Sequence, residues 1–294
     1  MDRRTRREFL AGASMVSGGI AALGGNLRGA PPQAPAKSQI KLGIVTYNIA
    51  KGWSLDEIIQ NLAEVRFQGV ELRTGHAHGV ELSLSPRERA AVRDRFAGSP
   101  IKIVQLGSTY EFQSPDPAVL RENIEGCKQY MQLAHDVGAP AVKVRPNGLE
   151  TQAGIPVEKT LEQIGMSLRE LGETGSRLGV EVRLEVHGKG TERLDYIQRI
   201  MEIANQPMVA VNWNCNQTDL EDGGLEENFA RVKKWIRNVH MRDLYLEEYP
   251  WRKLIGLLQG IGYGGYCCAE IPSSEDPLRV LLYYRALFLQ YEAC

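Results

Sequence analysis

From Ile40 onward, short runs rich in β-branched side chains alternate with longer amphipathic stretches eight times over. The runs fall at 40–46, 69–73, 101–107, 140–145, 180–186, 207–213, 236–241 and 265–271, with helical stretches between them and after the last. Such alternation predicts parallel strands, because each helix carries the chain back before the next strand begins. Several helix starts are marked by their chemistry. Ser54 with Glu57 spells a capping box, Ser85-Pro86 with Glu88 adds proline at the first helical position, and Asp276-Pro277 opens the last helix in the same manner. Over 157–178, Val157, Leu161, Ile164, Leu168, Leu171 and Leu178 share a face, and Gly179 closes the helix. Eight such units after residue 36 predict an α/β protein of the (βα)8 TIM-barrel class, for which ~250 residues is the usual length. No Gly-x-Gly-x-x-Gly follows any strand, which counts against a dinucleotide-binding sheet.

Alternation within the strands is more telling. One face of a barrel strand packs on helices and is apolar, while the other lines the interior. In the fifth strand Val180, Val182, Leu184 and Val186 take the first face, leaving Glu181, Arg183, Glu185 and His187 for the second. The same reading turns Glu71 and Arg73, Lys143 and Arg145, Asn212 and Asn214, His240 and Arg242, and Cys268 and Glu270 inward. Buried charge is unfavourable unless paired or metal-bound, so an interior this polar predicts a site. Trp213 is expected on the helix-facing side and His135 on a helix, both outside it.

The first 36 residues read as an address. Arg6-Arg7-Glu8-Phe9-Leu10 resembles a twin-arginine export motif, and a glycine-rich, weakly apolar stretch and Ala34-Pro35-Ala36 follow. This predicts a signal peptide over 1–36, a barrel domain over 37–294, and a periplasmic or secreted location. The apolar stretch is too short for a membrane span, which needs ~20 residues, so no stable membrane anchor is expected. Without those residues, which hold five arginines and two acids, the formal charge moves from −1 to −4. That balance lacks the basic stripe of a nucleic-acid partner. The five cysteines (127, 215, 267, 268 and 294) show no zinc-site spacing. They agree with a fold completed in the cell without disulfides.

Glu185, Asn214, His240 and Glu270 sit at or near the carboxyl ends of strands five to eight, the face where barrel enzymes keep their reactive groups. Two carboxylates, an imidazole and an amide oxygen suit a divalent ion such as Mn, Mg, Zn or Co. The same carboxylates could move protons on opposite sides of a substrate. Leu184-Glu185-Val186-His187-Gly188, Val239-His240-Met241-Arg242-Asp243 and Ala269-Glu270-Ile271 resemble the sugar phosphate isomerase/epimerase family of xylose isomerase-like barrels, over essentially all of 40–291. The resemblance implies one divalent ion held by Glu185, His240 and Glu270, with the two glutamates as the catalytic acid/base pair. Where that family has Asp on the sixth strand, this chain reads Asn212-Trp213-Asn214, so Asn214 aligns with the fourth ligand and brings no charge. Asp219 is close enough in sequence to compensate.

His187, Glu71, Arg145, His76 and His78 are the substrate-binding candidates. His187 shares the side of Glu185, where the resemblance implies a substrate contact or a partner orienting the glutamate. Arg145 suits a sugar hydroxyl or carboxylate, and Glu71 either a substrate or an ion pair with Arg73. His76 and His78 lie on a glycine-flanked loop that suits substrate, a second ion or neither. Lys143 and Arg183 read as deeper structural partners of Glu181. The function expected is metal-assisted isomerisation or epimerisation of a non-phosphorylated sugar or keto-sugar by proton abstraction next to a carbonyl. A lyase or dehydratase on a keto-sugar or keto-glycoside begins with the same abstraction. A metal-free sugar-binding barrel is the alternative of another class. A three-zinc endonuclease barrel needs more than five histidines.

Overall fold

The computed structural model describes residues 39–293, so the leader expected over 1–36 lies outside the described residues. The chain order is β1 (Lys41–Val45), α1 (Leu55–Glu64), β2 (Gly69–Arg73), α2 (Pro86–Ala97), β3 (Lys102–Glu111), α3 (Pro117–Val137), β4 (Ala141–Arg145), α4 (Val157–Leu178), β5 (Glu181–Glu185), α5 (Leu194–Ala204), β6 (Val209–Asn214), α6 (Gly224–Val232), β7 (Ile236–Met241), α7 (Trp251–Gly260), β8 (Tyr266–Ala269) and α8 (Pro277–Glu292). Every strand pairs in parallel with its sequence neighbours, and β1 meets β8 through Gly43 and Cys268 to close the barrel. The predicted (βα)8 architecture is the one observed.

The local signals act as the sequence implies. Ser54 and Ser85 each cap their helix, and Glu57 and Glu88 return the hydrogen bond to the cap backbone. Asp276 accepts from the Arg279 amide at the start of α8, and Gly179 adopts the left-handed conformation that ends α4. Val182, Leu184 and Val211 are fully buried against the helices, each such side chain stabilising the fold by ~1.5–3 kcal/mol. Trp213 packs in that outer layer against Phe229 and donates to the Tyr249 hydroxyl at 3.3 Å.

One strand departs from expectation. β3 runs past residue 107 to Glu111, its register with β4 shifting after Gly107 and resuming at Glu111 opposite Arg145. Over the extension the only apolar side chain, Tyr110, packs on α3 against Tyr130, and one apolar residue is too little for periodicity to reveal the strand.

Inside the barrel, the inward-facing polar residues join into one hydrogen-bonded column. At its base Arg183 pairs with Glu181 (2.8 Å) and donates to Gln105 Oε1 (3.0 Å). Gln105 Nε2 donates to Asn212 Oδ1 (2.9 Å) and Glu71 Oε2 (2.6 Å), and Asn238 Nδ2 adds a second bond to Asn212 Oδ1 (2.6 Å). Each member is bonded to the next, which makes a buried polar network tolerable, although Glu71 Oε1 and Asn212 Nδ2 have no partner. Its upper end is the candidate site.

The tight turn between α4 and β5 provides a check on the fold. A Cβ at Gly175 would lie 2.4 Å from the Val180 carbonyl oxygen, backbone that cannot yield easily, whereas one at Gly256 in α7 meets nothing within 4 Å. Urea unfolding is expected to show Gly175→Ala destabilised by ~1–3 kcal/mol and Gly256→Ala stabilised by ~0.5–1 kcal/mol. Equal effects at the two positions would contradict this packing.

Candidate functional site

At the carboxyl ends of the strands lies a polar cavity of about 440 Å³, on whose wall stand Glu185, Glu270, Lys143, Arg145, His187 and Asn214. Beneath its floor is His240, with its side chain 1% exposed. Its Nε2 is 2.6 Å from Glu71 Oε2, while its Nδ1 faces Glu185 Oε1 at 3.1 Å and Glu270 Oε2 at 3.5 Å. One ligand atom from each of Glu185, His240 and Glu270 falls within 4.8 Å of the others.

This geometry dictates a cation. Glu71 can only accept, so it fixes the proton on His240 Nε2 and leaves the neutral ring presenting an Nδ1 lone pair to two carboxylates. Three acceptors facing one another need either a second proton on His240 or a metal ion between them. The donor set of two carboxylates, an imidazole backed by a carboxylate, and the nearby Asn214 amide fits a divalent ion. Asn214 ends β6 opposite His240, and its amide nitrogen donates to Asn216 Oδ1 at 3.3 Å.

Lys143 changes the charge of the site. It is buried with its Nζ 2.7 Å from Glu185 Oε2, a contact the sequence reading misses by assigning Lys143 to Glu181. Burial pushes the Glu185 carboxyl up, but Lys143 and His240 outweigh it and hold Glu185 well below the usual carboxylate range. Glu71 is likewise drawn down against its burial, chiefly by His240 and then Lys143. Burial disfavours charge on His240 and on Lys143 too, yet the surrounding glutamates raise both.

The remaining candidates separate. Arg145 lines the cavity but is paired with Glu111 on the β3 extension. Glu111 also accepts from Asn147 Nδ2 (2.6 Å), whose Oδ1 in turn meets His187 Nδ1 (3.0 Å). Glu71 does not reach the cavity wall and makes no pair with Arg73. It lies fully buried under His240, while Arg73 sits above it, its guanidinium 5.1 Å from the Tyr47 ring. His78 spends both ring nitrogens on its own loop, Nε2 on the Arg73 carbonyl (2.9 Å) and Nδ1 on the Val80 amide (3.0 Å). His76 binds the Thr46 hydroxyl (2.8 Å) and stacks on Tyr47, and burial with nearby Arg73 pushes it down to about 4. Neither histidine lies on the cavity wall, although Tyr47 does. Asp219 does not compensate for Asn214. Its carboxylate is buried beneath the 214–218 segment, accepting from the Tyr249 hydroxyl (2.6 Å) and the Asn216 amide (3.1 Å).

Comparison with known proteins follows the same lines. Residues 59–285 match the model of the xylose isomerase-like TIM barrel family. Among solved structures, D-psicose 3-epimerase with D-tagatose from Clostridium cellulolyticum H10 superposes with a TM-score of 0.73 at 15% identity, covering 87% of this chain and 100% of that one. The IOLI protein with a bound zinc atom gives 0.72 at 16%, covering 86% and 98%. The 3-keto-D-glucoside 4-epimerase YcjR from E. coli gives 0.70 at 16%, covering 87% and 100%.

Two measurements check this electrostatic reading. Lys143→Met strands Glu185 as a buried anion, and chemical denaturation at neutral pH should show a loss of ~3–5 kcal/mol. Asp219 is pushed up to about 8 by burial, against hydrogen bonds that lower it. Its folded value thus exceeds its unfolded one, so the stability it contributes is full below ~4 and is lost as the pH rises toward 8. Asp219→Asn should therefore flatten the fall in stability between pH 5 and 8, by a few kcal/mol at most. A parallel fall in the variant would show that Asp219 ionises normally.

Proposed function

The chain belongs to the xylose isomerase-like TIM barrel family, and from that premise we propose a metal-assisted isomerase or epimerase that moves a proton next to the carbonyl of a non-phosphorylated sugar or keto-sugar. The observation that carries the reading is the convergence of Glu185, His240 and Glu270 at the floor of a polar, sugar-sized cavity. Those three, with Asn214 on the neighbouring strand end, would hold one divalent ion of the Mn, Mg, Zn or Co kind. Bound there, it supplies Lewis acidity that stabilises negative charge developing on a carbonyl oxygen.

The proton transfers fall to the chain's own carboxylates. Glu185, kept ionised by Lys143 and His240, takes a proton from the carbon on its side of the cavity. Glu270, at 24% exposure the more open of the pair, returns one on the other side. His240, its ring fixed by Glu71, lies beneath both carboxylates and would share the ion with them through Nδ1. Arg145 and His187 flank the space as contacts for substrate hydroxyls. The absence of a glycine-rich phosphate loop supports a non-phosphorylated substrate, and the two epimerases of like fold act on sugars of that kind by name. The twin-arginine reading of 1–36 supports a periplasmic or secreted location.

Incubation with a panel of keto-sugars and keto-glycosides in D2O tests the mechanism. Deuterium should enter at the carbon next to the carbonyl, and Glu185→Gln and Glu270→Gln should each slow that entry by ~10²–10⁴-fold. A divalent ion should co-purify in elemental analysis, and its removal should abolish exchange. Release of the glycoside with exchange would mark a lyase. Sugar binding with neither exchange nor metal would leave a binding barrel and refute the proposal.

A further inference from the structure

We infer that Arg73 and Arg242, on the wall of the same cavity, receive a carboxylate, so that the substrate is an acidic keto-sugar such as a keto-uronate. The inference rests on the proton-transfer reading of the cavity and narrows its substrate class. Four cationic side chains reach the wall: Arg73, Lys143, Arg145 and Arg242. Lys143 is answered by Glu185 and Arg145 by Glu111. Among the described residues, neither Arg73 nor Arg242 has a carboxylate within 4.0 Å. Arg73 ends β2, lies over the Tyr47 ring, and donates only through Nη1 to the Thr74 carbonyl at 3.3 Å. Arg242 directly follows β7, and its buried Nε has no hydrogen-bond partner. Folding leaves these donor forks largely open, facing the space a substrate would fill.

Charge narrows the ligand. Of the acids on the wall, Glu185 and Glu270 belong to the His240 cluster, and Glu192 has no ion pair among the described residues. Two open guanidiniums against one open carboxylate leave a surplus of one positive charge, which a monoanion balances. A carboxylate is planar and meets a guanidinium fork with two parallel hydrogen bonds. A phosphate would bring about two charges, more than the surplus of one. Sequence reasoning gives the carboxylate to Arg145, but the structure has already paired that residue internally.

Three ketoses that differ only at C6 supply the test: D-fructuronate, D-fructose and D-fructose 6-phosphate. Calorimetric binding to the full chain and deuterium exchange in D2O are read separately. D-fructuronate should bind at least tenfold more tightly than D-fructose and more tightly than the phosphate. Arg242→Gln and Arg73→Gln should each cut the fructuronate-over-fructose preference about tenfold, and Arg242→Lys should keep part of it. Because the readout is a ratio, a variant that merely folds poorly loses both sugars together and leaves the ratio intact. An intact ratio in both glutamine variants, a preference for the phosphate, or no binding of fructuronate overturns the inference. Preferred binding of fructuronate without exchange of any of the three sustains it while overturning the proton-transfer reading.

Discussion

The hydrogen bond between His240 Nε2 and Glu71 Oε2, at 2.6 Å and out of contact with solvent, is the constraint on which the site depends. It sets where the imidazole proton sits, and so which nitrogen faces Glu185 and Glu270. It is also the top rung of the polar column that fills the barrel, since Glu71 is itself held by Gln105, and Gln105 by Arg183 and Asn212. A ring buried this deeply can only take the orientation its neighbours impose. The floor of the cavity is therefore built by the barrel interior, and the loops contribute walls.

Lys143 and Asn214 modify that floor in the same direction. An amide stands where the family pattern suggests an acid, and an ammonium sits directly on Glu185. Both make the cluster less anionic, which favours a site that binds its ion less tightly or holds Glu185 ionised without one. The charge that survives is distributed: buried glutamates below, open guanidiniums above. A polar cavity with opposite signs at floor and rim has a built-in direction for a dipolar or anionic ligand.

Much of the fold was legible because a barrel strand has two dissimilar faces. The period-two pattern in Glu181–Glu185, or in Val209–Asn214, fixes both its existence and which residues look inward. Glu185, His240 and Glu270 followed from position at the strand ends. What alternation cannot supply is height along the barrel axis. Lys143 lies beside Arg183 in register, yet its long stem carries the ammonium up to Glu185 rather than down to Glu181. Arg145 lost its predicted freedom to Glu111, on a strand extension too short in apolar residues to show a period. Glu71 and Arg73 share a face but part company, one under His240 and the other against Tyr47. His76, His78 and Asp219 were legible as polar residues near the site, but only the folded loops show that their side chains are spent on Thr46, on the loop backbone and on Tyr249.

The chain of contacts from Glu111 through Asn147 to His187 has a consequence for which oxygens this wall can receive. Glu111 is an acceptor, so the Asn147 amide must turn its nitrogen toward it and its oxygen toward His187. His187 then donates through Nδ1, and whenever its ring is neutral it offers a bare Nε2 to whatever stands beside it. An alcohol can donate to that nitrogen, whereas a ketone or an ether oxygen only meets a second lone pair. One residue back from the cavity wall, the orientation of a single amide thus sets which kind of oxygen the neutral His187 ring can meet.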